Sequence, residues 1–248
     1  MAEKKMSAEE EFLEKLEVFS VDLESCLQFF QISLTVDATA ASDSDLLNAI
    51  NKAPHFWKTV MGALQTSFFI ALGRVFDPDS RSHSIEKLLE YARKNQVIFS
   101  KDSLAERKRR DNISEENLRA YLSDVHVPSK KDFDELEELL NRLKEVFGKY
   151  QPIRHKVFAH SDHERDVEAL FKNTNIIELE QLVGSLQGFY EALWQMFHNG
   201  RNPLPLSTVS NGVMDRVKGE TENLLKTITD ATGRCEFIRT SGSGEGCD

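Results

Sequence analysis

Residues 154–160 read Arg-His-Lys-Val-Phe-Ala-His, with Ser161 and Asp162 directly after. A permanent cation and two imidazoles thus fall within two turns of a helical pattern. Arginine keeps its proton at any working pH, whereas histidine exchanges one near neutrality. Arg154 can hold phosphate oxygens through parallel N–H donors, and His160 can carry a proton. That chemistry suits a phosphodiester. Six residues at about 100° each set His160 roughly 120° around a regular helix from Arg154. Convergence therefore requires the reach of the arginine, a distorted helix end or a second subunit. Lys156 shares the face of His160 and can contact phosphate as well. The plainer alternative is a surface arginine and a helix-end histidine satisfied by Asp162 or by the helix dipole.

Other chemistries find little support. No Gly-rich phosphate loop follows a strand, and no GxSxG elbow is present. His155, His160, Asp162 and His163 match no standard zinc spacing, and neither paired cysteines nor an HExxH motif accompanies them. We expect no metal and no cofactor. The three cysteines, Cys26, Cys235 and Cys247, lack CxxC spacing. Cys26 lies among apolar residues and reads as a core filler, and this usage fits a reducing cytoplasm. No apolar run suits a membrane span, and the first eleven residues are too polar for a signal peptide. The net charge of −10 opposes indiscriminate binding of nucleic acid, so any RNA contact must be local. Arg107, Lys108, Arg109 and Arg110 form the densest basic run and are the candidates for it. A solvated helix face is the commoner reason for such a run.

The elements that would position these groups are helical. Ser7-Ala-Glu-Glu10 is a capping box. Phe12, Leu16, Phe19, Leu23, Leu27 and Phe30 then form one stripe, which fades into an expected loop at 37–45. A second helix begins at Pro54, carries Trp57, Val60, Met61, Leu64, Phe68, Leu72 and Val75, and stops at Phe76-Asp77-Pro78-Asp79. A third covers 84–94. Residues 96–128 are polar and read as an insertion beside the core, with short helices at 103–110 and 114–125. Ser129 caps a helix bearing Phe133, Leu136, Leu140, Leu143, Phe147 and Tyr150, and Pro152 kinks or restarts it. Asn175 caps another, with Leu179, Leu182, Leu186, Phe189, Leu193 and Phe197 inward, ended by Asn199-Gly200. Trp57 and Trp194 both fall on apolar stripes and are expected in the core. Pro203 and Pro205 mark a linker. A last helix spans about 213–229, and the tail from Gly233 reads as unstructured.

Arg154, the polar His155 after it and His160 resemble the Arg-x(4–6)-His signature of the HEPN superfamily (higher eukaryote and prokaryote nucleotide-binding domains). The run from Ile153 to Asp162 is closer still to the branch of bacterial abortive-infection proteins of the U type. Members of that branch also carry an Arg-x-x-Asp-Pro turn, and Arg74-Val-Phe-Asp77-Pro78 resembles it. The resemblance covers about residues 10–200. It implies a metal-independent endoribonuclease working as a homodimer, with Arg154 and His160 as the catalytic pair and His155 as the accessory polar position. It also implies RNA as partner, a role in phage defence or as a toxin, and a possible antitoxin.

The expectation is an all-α chain: an HEPN-like helical bundle over 8–200, a C-terminal helix over 207–232 and a tail over 233–248. The competing functional reading is a non-catalytic helical module that binds protein or nucleotide. In a third reading, the last helix serves dimerisation.

Overall fold

The computed structural model describes residues 6–79, 83–153, 175–206 and 212–241, with side chains up to Ala231. Among the described residues all regular structure is helical: α1 (Ala8–Ser42), α2 (Ser44–Lys52), α3 (Pro54–Val75), α4 (Ile85–Lys94), a 3-10 turn (Gln96–Phe99), α5 (Lys101–Arg110), α6 (Glu115–Ser123), α7 (Lys130–Ile153), α8 (Ile176–Asn199) and α9 (Gly212–Ser241). The fold is all-α, as the periodicity requires.

The capping box opens α1. The Glu10 N–H donates to Ser7 Oγ at 3.2 Å, and the Ser7 N–H donates back to Glu10 Oε2 at 2.7 Å. The expected loop at 37–45 shrinks to a one-residue break, because α1 runs to Ser42 and Asp43 caps α2 through the N–H groups of Asp45 and Leu46. Two causes keep this stretch helical. Ala38, Ala40 and Ala41 are strong helix formers. The hydroxyls of Thr35, Thr39 and Ser42 donate to the carbonyls of Gln31, Thr35 and Ala38, so they do not compete with the helix for its N–H groups.

The chain divides into two compact units. The first comprises residues 1–23 and 70–209, the second residues 24–69 and 210–248. The centre of the first unit is aromatic. The Phe12 ring lies 5.3 Å from Phe99 and 5.0 Å from Phe197, and Phe99 lies 6.1 Å from Phe133. These are the separations at which offset and edge-on rings attract. Phe99 belongs to the stretch expected to sit beside the core. With Ile98, Leu104 and Leu118 it is buried, so residues 96–128 supply part of that core, and this is a correction. The polar composition misled because each short helix buries only one or two residues, Leu104 and Ala105 on α5 and Leu118 on α6. Tyr91 fastens α4 to the start of α1 by donating to Glu11 Oε2 at 3.1 Å. Burial first, and the Glu11 carboxylate second, push the Tyr91 phenol up to about 12.

In the second unit α9 packs on α2. Leu225 of α9, Val36 of α1 and Leu46 of α2 are buried together, with Ile32, Ile50, Trp57 and Met61 packed around them. The Phe30 and Phe68 rings stack at 4.9 Å. Trp57 is half-buried at the edge of this cluster rather than at its centre. Helix α9 continues through Gly233, where composition suggested a tail, to Ser241.

Candidate functional site

Arg154, His155, Lys156, His160, Asp162 and His163 lie outside the described residues. What the structure describes are the elements on either side of them, all within the first unit, and they are closely fastened.

Helix α7 delivers the chain to Ile153, which is 3% exposed. Its apolar stripe ends in Phe147, Tyr150 and Ile153, all buried. Pro152 sits inside the helix, in its last turn. The Arg74-x-x-Asp77-Pro78 turn is docked against this end of α7: the Phe76 ring stacks on Phe147 at 4.6 Å with planes 14° apart. The turn has its own bonds. The Asp77 N–H donates to Arg74 O at 3.2 Å, and Asp77 Oδ1 accepts from the Asp79 N–H at 3.0 Å, an Asx turn. Arg74 also faces Asp22 of α1 at 3.6 Å. The Arg74 side chain is largely exposed and the separation is long, so the pair adds little to stability.

The chain returns at Asn175, the N-cap of α8. Its side-chain oxygen accepts from the N–H groups of Ile177 at 3.0 Å and Glu178 at 3.3 Å. Tyr150 joins the two helices. Its hydroxyl donates to Glu178 Oε2 at 2.5 Å and accepts from the Asn175 N–H at 3.4 Å. Lys149 forms an ion pair with the same carboxylate. Lys149 first, then Tyr150, hold the Glu178 carboxyl below its ordinary pKa. Burial, then Glu178, raises the Tyr150 phenol. The sequence placed Tyr150 on the apolar stripe and Asn175 at a cap, but not the bond between them. The one available signal was that the stripe ends in an aromatic with a polar tip, which must find a partner when buried.

The basic run on α5 is committed within the molecule. The Arg107 side chain is 11% exposed and pairs with Glu9. It also donates to the carbonyls of Ile98 and Phe197, both at 2.9 Å. Its guanidinium lies over the Phe197 ring, 4.0 Å from the centroid. Burial lowers its pKa, opposed in part by Glu9. Arg107 therefore closes the C-terminal end of α8 and the 3-10 turn. Lys108 reaches Asn199 Oδ1 at 3.4 Å and lies 5.4 Å from the Tyr121 ring centroid. Arg109 pairs with Glu115 at 2.7 Å and Arg110 with Glu9 at 3.0 Å. All four cations expected to meet RNA have intramolecular partners, and Arg107 is enclosed by them.

Trp194, expected in the core, is half-buried and lies against His198, with centroids 4.5 Å apart and planes tilted by 35°. Burial first, then Arg107 and Lys108, depress the His198 pKa. Gly200 ends α8 at φ 55°. A Cβ there would stand 2.6 Å from Val125 Cγ1 and 2.8 Å from Leu104 Cδ2, so only glycine fits. Among the described residues no group of three or more His, Cys, Asp and Glu side chains could hold a metal ion. Nor, among them, is any helix long and apolar enough to cross a membrane.

An all-helical fold with an Arg-x-x-Asp-Pro turn docked on the helix that ends at Ile153 agrees with a protein of the HEPN type. The sequence profile of one HEPN family, AbiU2, matches residues 10–212, and the chain belongs to that family. No curated protein and no solved structure matches it.

Proposed function

We propose that the chain is a metal-independent endoribonuclease of the HEPN type, acting as a toxin or in phage defence by abortive infection. The observation that carries this is the Arg154–His160 signature in a chain of the AbiU2 family. RNA supplies its own nucleophile. A base takes the proton of a 2′-hydroxyl, the 2′-oxygen bonds to phosphorus, and the bond from phosphorus to the 5′-oxygen breaks as that oxygen gains a proton. The products are a 2′,3′-cyclic phosphate and a 5′-hydroxyl. His160 serves the proton transfers. Arg154 stabilises the charge gathering on the phosphoryl oxygens. His155 is the accessory polar group, and Lys156 contacts a neighbouring phosphate. On a regular helix Arg154 and His160 would stand about 120° apart, which favours a homodimer that brings two copies of the segment together. The proposed setting is the cytoplasm, and an antitoxin partner fits a toxin role. The proposed organisation keeps the catalytic domain within 8–200.

On this reading Arg107 makes no RNA contact, because its guanidinium is buried and held by Glu9, Ile98 and Phe197. Lys108, Arg109 and Arg110 reach RNA only by leaving their present partners. That commitment favours the second reading, a helical binding module without catalysis, to the extent that it leaves little free positive charge on α5. Incubating the purified chain with total or transfer RNA in excess EDTA decides between them. Cleavage by wild type, reduced at least about a hundredfold in His160→Ala, is the expected result. Equal activity of the two removes His160 from the mechanism, and intact RNA in both favours the binding module.

A further inference from the structure

We propose that the outer face of α3 over residues 54–67, in the second unit, is where a second copy of this chain docks, with the two α3 helices crossing at Gly62. The homodimer of the nuclease reading needs such a surface, but the proposal does not rest on RNA cleavage.

The first half of α3 is an apolar helix that its own chain leaves open. No residue over 54–67 is buried, although the stretch holds Phe56, Trp57, Val60, Met61 and Leu64. Further along the same helix Phe68, Leu72 and Val75 are all buried. Trp57 and Met61 lean on the cluster of Val36, Leu46 and Leu225. On the opposite side, within an arc of about 120°, stand Phe56, Thr59, Gly62, Ala63 and Thr66. The Phe56 ring is 61% exposed. The Thr59 and Thr66 hydroxyls donate to the carbonyls of His55 at 2.8 Å and Gly62 at 2.7 Å, which lowers the cost of drying this side.

Gly62 marks the point of closest approach. A glycine in mid-helix weakens the helix relative to alanine. Nothing in this chain requires it, since a Cβ at 62 would meet no atom within 4 Å. What the missing side chain permits is the close approach of another backbone.

Charge identifies the occupant. Lys58 is the one formally charged side chain over 54–67, and none falls over 59–73. On α1, which lies alongside through the Phe30–Phe68 stack, none falls over 25–36. Nucleic acid is held by clusters of cations, and one lysine is no cluster. A charged protein would find no opposite charge to pair with. A two-fold interface brings each group near its axis against its own copy, so any charge there meets like charge. In a chain of net charge −10, a face free of charge is the one on which two copies meet without that repulsion.

Sedimentation of the full chain at about 50 μM, above the micromolar limit of ordinary interfaces, provides the test. Wild type is expected as a dimer. Gly62→Glu and Gly62→Lys are expected as monomers with wild-type helix content, because either side chain has room in the isolated fold. Their equimolar mixture is expected to regain the dimer mass, as opposite charges then meet across the axis. Phe56→Ala is expected to raise the dissociation constant at least about tenfold. Monomeric wild type overturns the proposal, and its flotation with phosphatidylcholine vesicles would make the face a lipid surface instead. Dimers that persist in both Gly62 variants overturn it by placing the interface elsewhere. Variants that stay monomeric when mixed overturn it too, since Gly62 then does not face its own copy. The nuclease reading is judged apart from these outcomes, by whether wild type and His160→Ala leave RNA intact.

Discussion

Arg107 shows how one side chain can carry a structural load that its neighbours in sequence do not reveal. Its planar fork reaches a carboxylate and two backbone carbonyls at once while its face covers Phe197. Removing it leaves the partly buried Glu9 carboxylate and two carbonyl oxygens without this donor. Arg107→Met is expected to cost about 3 kcal/mol, the usual result of breaking a buried pair from one side. Arg107→Lys is expected to fall between, because a single ammonium cannot span three acceptors. Urea denaturation with a common slope checks both, and an unchanged midpoint for the methionine variant would refute the role. The same residue marks a limit of sequence reading. Four consecutive basic residues look like a nucleic-acid patch, yet α5 returns the first of them to the interior, and periodicity gives no warning when the partner, Glu9, lies almost a hundred positions away.

Among the elements, the junction between the C-terminal ends of α5 and α8 is expected to respond to pH. His198 sits beside Arg107 and Lys108, with Asp111 pulling weakly the other way, and its pKa is depressed by burial first and by those cations second. An unfolded histidine takes a proton near pH 6.5. The folded one resists, so its contribution is complete above that value and is lost as the pH falls below it. Melting temperatures between pH 7.5 and about 5.5 should therefore drop more steeply for wild type than for His198→Gln; parallel profiles would contradict this. Most elements were legible beforehand, because α1, α3, α7 and α8 each carry a long stripe that buries one face. The seam between α1 and α2 was not, since side-chain bonds to the helix's own carbonyls leave no trace in hydropathy. The ends of the candidate site were legible as a stripe and a cap. Their union through Tyr150 was not, because it depends on how α7 and α8 pack.

For the molecule as a whole, membership of the AbiU2 family extends to residue 212, while α9 runs from Gly212 to Ser241. The family therefore accounts for nearly all of the first unit, and α9 is supplied to the second by sequence beyond the match. Leu225 is 1% exposed and packs with Val36 and Leu46. Leu225→Ala is expected to cost about 2–5 kcal/mol. The loss should fall on the second unit, seen as faster hydrogen exchange in α2 and α9 with α7 and α8 unaffected. Equal acceleration in all four helices would show that the two units unfold as one.

The order of the chain gives this arrangement a temporal side. Val36 and Leu46 are made long before Leu225, the leucine that packs with them. During translation the described helices α1 to α8 leave the ribosome before that cover arrives. A message cut short upstream of Gly212 would yield a product with an oily surface where the finished protein has a seam.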